Sequence, residues 1–200
     1  MKTIAVALSA GAPHSGNTPT IQQPISSTET VLNWQVRAIN PDITYIITGY
    51  QSDLVQNVGE NQTVVENPEW SQSGSAYSLL MTPFLKENVD LEGKELIVFY
   101  GDVLFRNEFI EKIRKSTASL TIAWDSHTDF RKIEKPSDSE ERVVVREGRL
   151  ERSGVIPDYL SNGKFVGLAR FTGKGLSLLR DISLNRINEF KKASLADLVE

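Results

Sequence analysis

The sequence predicts an α/β domain: a mostly parallel sheet with helices on both faces and a small β-hairpin insert. Three observations carry this. Short, nearly unbroken apolar runs (Thr3 to Leu8, Ile43 to Thr48, Leu96 to Tyr100) each stop at turn residues, as strands buried on both faces do. Between them lie segments whose apolar residues recur at helical spacing. Strand, loop and helix alternate with short connections as far as Leu120 to Trp124, and that order implies parallel strands joined by right-handed crossovers.

Taken in order, Thr3 to Leu8 is a central first strand ending in the small-residue turn Ser9-Ala10-Gly11. Ala12 to Thr20, with Pro13, Gly16, Asn17 and Pro19, is a loop. Thr28 caps a helix carrying Val31, Leu32, Val36 and Ile39, which Asn40-Pro41-Asp42 ends. Ile43 to Thr48 is the second strand, closed by Gly49-Tyr50, and Ser52 to Val58 reads as a short helix. Gln62 to Val65 is a third strand. Gly74 to Phe84 is a helix with Ala76, Leu79, Leu80 and Phe84 inward, and Asn107 to Lys115 another. Beyond Asp129 the character changes. Glu134 to Glu141 is a charged loop, Val143 to Val145 and Arg149 to Ser153 form a hairpin about Glu147-Gly148, and Lys164 to Phe171 is a strand. Leu176 to Phe190 is helical, and Ser194 to Val199 begins one more helix.

Composition narrows the function. The 200 residues suit a single domain spanning the whole chain, and 40% hydrophobic with 24% charged residues is globular. A net charge of −4 with no long basic block argues against nucleic acid as a partner. With no Cys, disulfides and thiolate metal sites are excluded, and two His argue against a poly-histidine zinc site. No signal peptide and no run of membrane-spanning length is visible, so the expected location is the cytoplasm, with no membrane partner.

The focal stretch is Lys94 to Arg106, where an apolar run breaks off at Gly101-Asp102. Ligands of open α/β sheets sit beyond the carboxyl ends of the strands. Asp102 would place a carboxylate there, suited to a hard cation such as Mg²⁺. The same dipeptide also reads as a turn that caps the next helix. The first turn, Ser9-Ala10-Gly11, lets backbone N–H groups approach phosphate, although neither a P-loop nor a Gly-x-Gly-x-x-Gly spacing is present.

The landmarks in order are Leu8-Ser9-Ala10-Gly11, Gly49-Tyr50, Asn67-Pro68 with Ser73-Gly74-Ser75-Ala76-Tyr77-Ser78-Leu79, then Tyr100-Gly101-Asp102-Val103-Leu104-Phe105-Arg106. Trp124-Asp125 and Gly163-Lys164-Phe165-Val166-Gly167-Leu168 follow. From Thr3 to about Arg180 this series resembles the nucleotidyltransferase family of the MobA-like and sugar-nucleotide pyrophosphorylase kind. The branch it looks most like is the phosphonate cytidylyltransferases, some of which are fused to phosphoenolpyruvate mutase. The resemblance implies a three-layer, Rossmann-like fold and a Mg²⁺-dependent reaction. In it, CTP and a small phosphonate (2-hydroxyethylphosphonate or 2-aminoethylphosphonate) would give a CMP-linked product and pyrophosphate. Sugar- or choline-phosphate transfer, or a degenerate nucleotide-binding domain, are the alternatives. It further implies that Leu8, Ser9, Ala10, Gly11, Gly49, Gly74, Ser75, Ser78 and Gly101 hold the nucleotide. Asp102 would be the catalytic metal ligand, and Asp125 and Arg106 would face the acceptor. A mutase domain would be a possible partner.

Two departures from the family pattern follow the resemblance. The family's Arg after Gly11 is absent, and Thr20 stands where its Lys is expected, leaving His14 or Arg106 as substitutes. The strand that carries a second acidic ligand in the family does not follow Ser194 to Val199, which implies a truncated chain or one domain of a longer protein. Asp125 would instead be a rim residue and Asp197 an exposed helix residue. The adjacent residues Asp125-Ser126-His127 cannot form a hydrolase triad. Trp34, Trp70 and Trp124 read as core or pocket wall. Arg131, Lys132, Arg142, Arg146, Arg149 and Arg152 read as a solvated edge, from which one or two could reach an acceptor phosphonate.

Overall fold

Alternating residues of the first strand, β1 (Lys2–Ser9), feed two separate cores, and this decides the architecture. Ile4, Val6 and Leu8 face one side of the sheet, while Ala5 and Ala7 face the other. Both faces are therefore covered, which is why β1 reads as an unbroken apolar run. The computed structural model describes residues 1–13, 16–55, 59–126 and 140–200. The expected acceptor-side residues Arg131 and Lys132, together with His14, His127 and most of the charged 134–141 loop, lie outside these.

Within the described residues, β1 sits between β2 (Ile43–Thr48) and β4 (Lys94–Tyr100), with β3 (Gln62–Glu66) outside β2, all parallel. Beyond β4, β8 (Gly163–Thr172) runs antiparallel and pairs on its far side with β5 (Leu120–Asp125), so β5 points the same way as β1 to β4. The hairpin β6 (Arg142–Arg146) and β7 (Arg149–Gly154) joins through a short pairing of β6 with the start of β8. The structure thus has a mostly parallel sheet, a hairpin insert, and helices on both faces.

One layer holds α1 (Val31–Ile39) and α4 (Asn107–Arg114), whose Leu32, Ile39, Ile110 and Ile113 pack on Ala5, Ala7, Ile97 and Phe99. The other holds α2 (Ser75–Leu80), α3 (Pro83–Lys86), α5 (Gly173–Asn185) and α6 (Leu195–Leu198), with Leu79, Leu80, Leu85, Leu176, Leu179 and Leu195 against Ile4, Val6, Leu96 and Val98. Among the described residues, no helix is long and apolar enough to cross a membrane.

Several ends differ from the sequence reading for local reasons. The cap of α1 is Thr30, whose side chain accepts from the Asn33 N–H. Pro83 splits the expected Gly74 to Phe84 helix, because proline lacks an N–H and fits only the first turn of a new helix. Ser52–Leu54 makes a single 3-10 turn, and residues 56–58 of the expected helix fall outside the described set. The α5 pattern ends at Asn185 and continues as a 3-10 turn, Ile187–Phe190. Ser194 and Asp197 form a reciprocal capping box that starts α6.

At the amino ends of the central strands lies a buried ion cluster. Glu95 Oε1 accepts from Thr3 Oγ1 at 2.7 Å and Arg114 Nε at 2.8 Å, and Oε2 accepts from Arg170 Nε at 2.8 Å. Burial alone would push the Glu95 carboxyl up. The hydrogen bonds from Arg170, Thr3 and Arg114 outweigh it and hold the group below the usual carboxylate range.

Candidate active site

The carboxyl ends of β1 and β4 are in register, Leu8 beside Tyr100, and the Gly101 N–H donates to the Leu8 carbonyl at 2.9 Å. Both chains leave the sheet here. The resulting cavity, of about 260 Å³, is lined by the β1 turn (Leu8 to Pro13 and Thr20), by Trp70, Ser73, Gly74, Ser75 and Ser78, and by Tyr100 to Asp102. It sits where an open parallel sheet places its ligands.

Of the expected residues, Leu8, Ser9, Ala10, Gly11, Gly74, Ser75, Ser78, Gly101 and Asp102 line this cavity. Asp102 is exposed at its rim, in the turn after β4. Gly101 is buried, and a Cβ there would lie 2.7 Å from Ile21 Cγ2 and 3.0 Å from Ser9 Cβ. The glycine is thus favoured by packing. A Cβ on Gly11, in contrast, would meet nothing within 4 Å.

Three expected residues do not line the cavity. Gly49 lies behind it, where a Cβ would fall 2.4 Å from Trp70 Cβ and 2.8 Å from the Ala10 carbonyl oxygen. It acts by letting Trp70, stacked edge-on against Tyr50, reach the wall. Arg106 is the N-cap residue of α4 and lines a different depression with Leu104, Phe109 and Lys112. Asp125 ends β5 opposite Lys164. The place of Asp125 follows from the strand that carries it: β5 is separated from β4 by β8.

The wall made by Asn67 and α2 is assembled by side chains. Buried Asn67 donates from Nδ2 to Ser73 Oγ at 2.9 Å and Ser78 Oγ at 3.0 Å. Ser75 Oγ accepts from the Leu195 N–H at 2.7 Å and contacts the Tyr100 hydroxyl at 3.0 Å. The hydroxyls of Ser75 and Ser78 are therefore committed to holding the wall. Gly74 receives the C-terminal segment so closely that a Cβ would lie 2.0 Å from the Ala193 carbonyl oxygen.

Tyr100 and Glu141 are the polar pair that sequence reasoning missed. The Tyr100 hydroxyl donates to the Glu141 carboxylate, with both oxygens at 2.8 Å. Burial first, and the negative Glu141 second, push the Tyr100 hydroxyl far above its ordinary value. Burial raises the Glu141 carboxyl as well; hydrogen bonds from Tyr100 and Ser194 work against this, while Asp197 and Asp102 add like charge. The sequence signal for Tyr100 was its place at the end of the Leu96 to Tyr100 run. Glu141 gave none, because it sits at the edge of a mixed-charge stretch.

Asp102 is the one charged residue among the described lining residues. Thr20 does line the cavity at the expected lysine position, but a hydroxyl cannot offset phosphate charge. No group of three or more potential metal-binding side chains occurs among the described residues. Mg²⁺ usually keeps several waters and takes one or two protein carboxylates plus substrate phosphates. A lone Asp102 fits a cation held chiefly by a bound polyphosphate.

No family model matches the sequence, and no curated protein matches it. Solved structures do resemble the fold. The inositol-1-phosphate CTP transferase from T. maritima superposes with a TM-score of 0.68 at 19% identity, over 99% of this chain and 79% of that one. A candidate glucose-1-phosphate thymidylyltransferase from Bacillus anthracis gives 0.68 at 13% identity, over 98% and 80%. The CTP:phosphocholine cytidylyltransferase from Streptococcus pneumoniae gives 0.57 at 15% identity, over 97% and 90%. At such identities the likeness establishes a shared fold: this chain has the three-layer α/β fold of those nucleotidyltransferase structures.

Proposed function

We propose that the domain is a nucleotidyltransferase that uses CTP and a small phosphonate or phosphate monoester. The observation that supports it best is the convergence of Ser9 to Gly11, Gly74, Ser75, Ser78 and Asp102 on one cavity at the carboxyl ends of β1 and β4. The CTP-using and phosphocholine-using neighbours of the same fold add to it. A 2-hydroxyethyl- or 2-aminoethylphosphonate acceptor is the finer reading, and it rests on the sequence resemblance.

In the mechanism, an acceptor phosphonate oxygen attacks the α-phosphorus of CTP in line. The new P–O bond forms as the bond to the β-phosphate oxygen breaks, and pyrophosphate leaves with the electron pair. The chain's task is positioning and charge stabilisation rather than covalent catalysis. The Ser9-Ala10-Gly11 backbone would lie along the phosphates, and the open space at Gly11 leaves room for them. Trp70 and the Ser73 to Ser78 wall would hold the base and ribose. Mg²⁺, when bound, supplies charge neutralisation at the phosphates, and Asp102 would be the protein group holding it.

A second reading is a nucleotide-binding domain without turnover. It is favoured by the absence of any cation among the described lining residues, since such groups stabilise the transition state. Pyrophosphate release with CTP, ATP, GTP and UTP against the two phosphonates, phosphocholine and sugar phosphates separates the readings. CTP-dependent release that Asp102→Asn abolishes while the protein stays folded supports the first. Calorimetric CTP binding with no release supports the second. Release with UTP and a sugar phosphate alone would remove the phosphonate acceptor.

A further inference from the structure

Helix α1 presents one polar side chain on its buried face. Gln35 is fully buried between Leu32 and Ile39, with its amide turned toward the turn that carries Asp102. Its Nε2 donates to the Tyr100 carbonyl at 3.1 Å and to the Val103 carbonyl at 2.8 Å. These two carbonyls bracket Gly101-Asp102. The amide orientation follows from its partners, because two carbonyl oxygens require the NH₂ end. The neighbouring Trp34 Nε1 donates to the Phe105 carbonyl at 2.7 Å, so α1 clamps the β4–α4 connection at three points.

The other end of the amide is informative. Gln35 Oε1 is buried and has no hydrogen-bond partner among the described residues. A buried acceptor left unpaired costs free energy that an apolar side chain of similar shape would avoid. The residue is therefore poorly explained by packing, and well explained by its two donated bonds. Asp102 itself is exposed, and among the described residues no hydrogen bond holds its carboxylate, so its placement there depends on the backbone that carries it.

We infer that Gln35 is a positioning residue, which fixes the Gly101-Asp102 turn so that Asp102 meets a metal–nucleotide complex in the cavity. The inference rests on the nucleotide reading of that cavity. Groups that orient a metal ligand from behind commonly change metal affinity by about 10- to 100-fold when removed.

The test measures Mn²⁺·CTP and metal-free CTP affinity by calorimetry in the wild-type chain, Gln35→Met and Gln35→Leu. Ile110→Val, a core change in α4, controls for a general loss of stability. The expected result is Mn²⁺·CTP binding weakened at least about tenfold in either Gln35 variant that folds, with metal-free CTP affinity and the Ile110→Val values unchanged. Equal weakening of both ligands, or of the control, would make Gln35 merely structural. Mn²⁺·CTP binding unchanged in the Gln35 variants would overturn the inference and leave the nucleotide reading standing. A wild-type chain that binds no Mn²⁺·CTP would overturn both.

Discussion

Replacing Glu95 by glutamine should cost much of the fold's stability while leaving the cavity intact. The Glu95 side chain is 0% exposed, that of Arg170 6% and that of Arg114 21%, so the substitution leaves two guanidinium groups without their counter-charge, one of them almost wholly buried. The glutamine carbonyl could accept from one guanidinium but its NH₂ would face the other; beyond that, Arg170 keeps its bond to the Ser116 carbonyl, and Arg114 those to Ile39, Thr3 and Glu111. Breaking a buried pair by neutralising one partner costs about 3–5 kcal/mol. At roughly 2–3 kcal/mol per molar urea, that moves the unfolding midpoint down by about 1–2.5 M. The sign with pH follows from the depressed carboxyl. Its contribution is present above the unfolded glutamate range and lost as pH falls through the lower folded value, so the wild-type advantage narrows in acid. The cavity lies roughly 16 Å away along β4, at about 3.3 Å per residue. Nucleotide affinity at neutral pH and low urea should therefore be unchanged. A midpoint shift below about 0.5 M would refute the claim that this cluster supports the central strands.

Other outcomes follow from the cavity walls. Gly74→Ala forces a Cβ against the Ala193 carbonyl and threatens the bonds from Gly74 N–H to Lys191 and from Leu195 N–H to Ser75; thermal unfolding should show a loss of about 1–3 kcal/mol, and calorimetry weaker nucleotide binding. Gly11→Ala has open space, so its melting temperature should match wild type within about 2 °C, while any ligand passing close to that backbone should bind less tightly. Glu141→Gln tests the raised carboxyl. A group with a raised folded value contributes most below its unfolded range and loses that contribution as pH rises, so the variant should gain on wild type in urea titrations from about pH 4 to about pH 8. A constant difference across that range would contradict the burial argument for Glu141.

The sheet was legible in the sequence because β1, β2 and β4 are covered on both faces and so read as uninterrupted apolar runs. The Gly-x-Phe-x-Gly strand was legible too, and the structure explains it. A Cβ on Gly163 would lie 2.3 Å from the Trp124 ring, and Gly167, at φ +70°, would place one 2.2 Å from Tyr100. The reversal of β8 between β4 and β5 could not be read, since direction depends on which strands pair and not on pattern. Gly49 shows a second limit. The resemblance gave it a place at the nucleotide, and its neighbours show in addition that it is needed for packing beneath Trp70. Gln35 was hidden for the opposite reason: a lone amide in the Leu32–Ile39 stripe reads as a break in the pattern until the carbonyls it meets are known.

Charge balance ties the wall to the chemistry. Phosphate groups entering this cavity meet, among the described lining residues, one carboxylate and no cation. Glu141 nearby, with its carboxyl pushed upward, adds no positive charge. Bare CTP should therefore bind weakly, because backbone N–H groups must offset several phosphate charges unaided. On the proposed reading, a divalent ion would change the sign of the problem, because Asp102 would then act as a ligand rather than a repulsive neighbour. If the proposed function holds, the ratio of metal-bound to metal-free CTP affinity should therefore be large. A ratio near one would mean that Asp102 and the turn Gln35 holds do not face the phosphates at all.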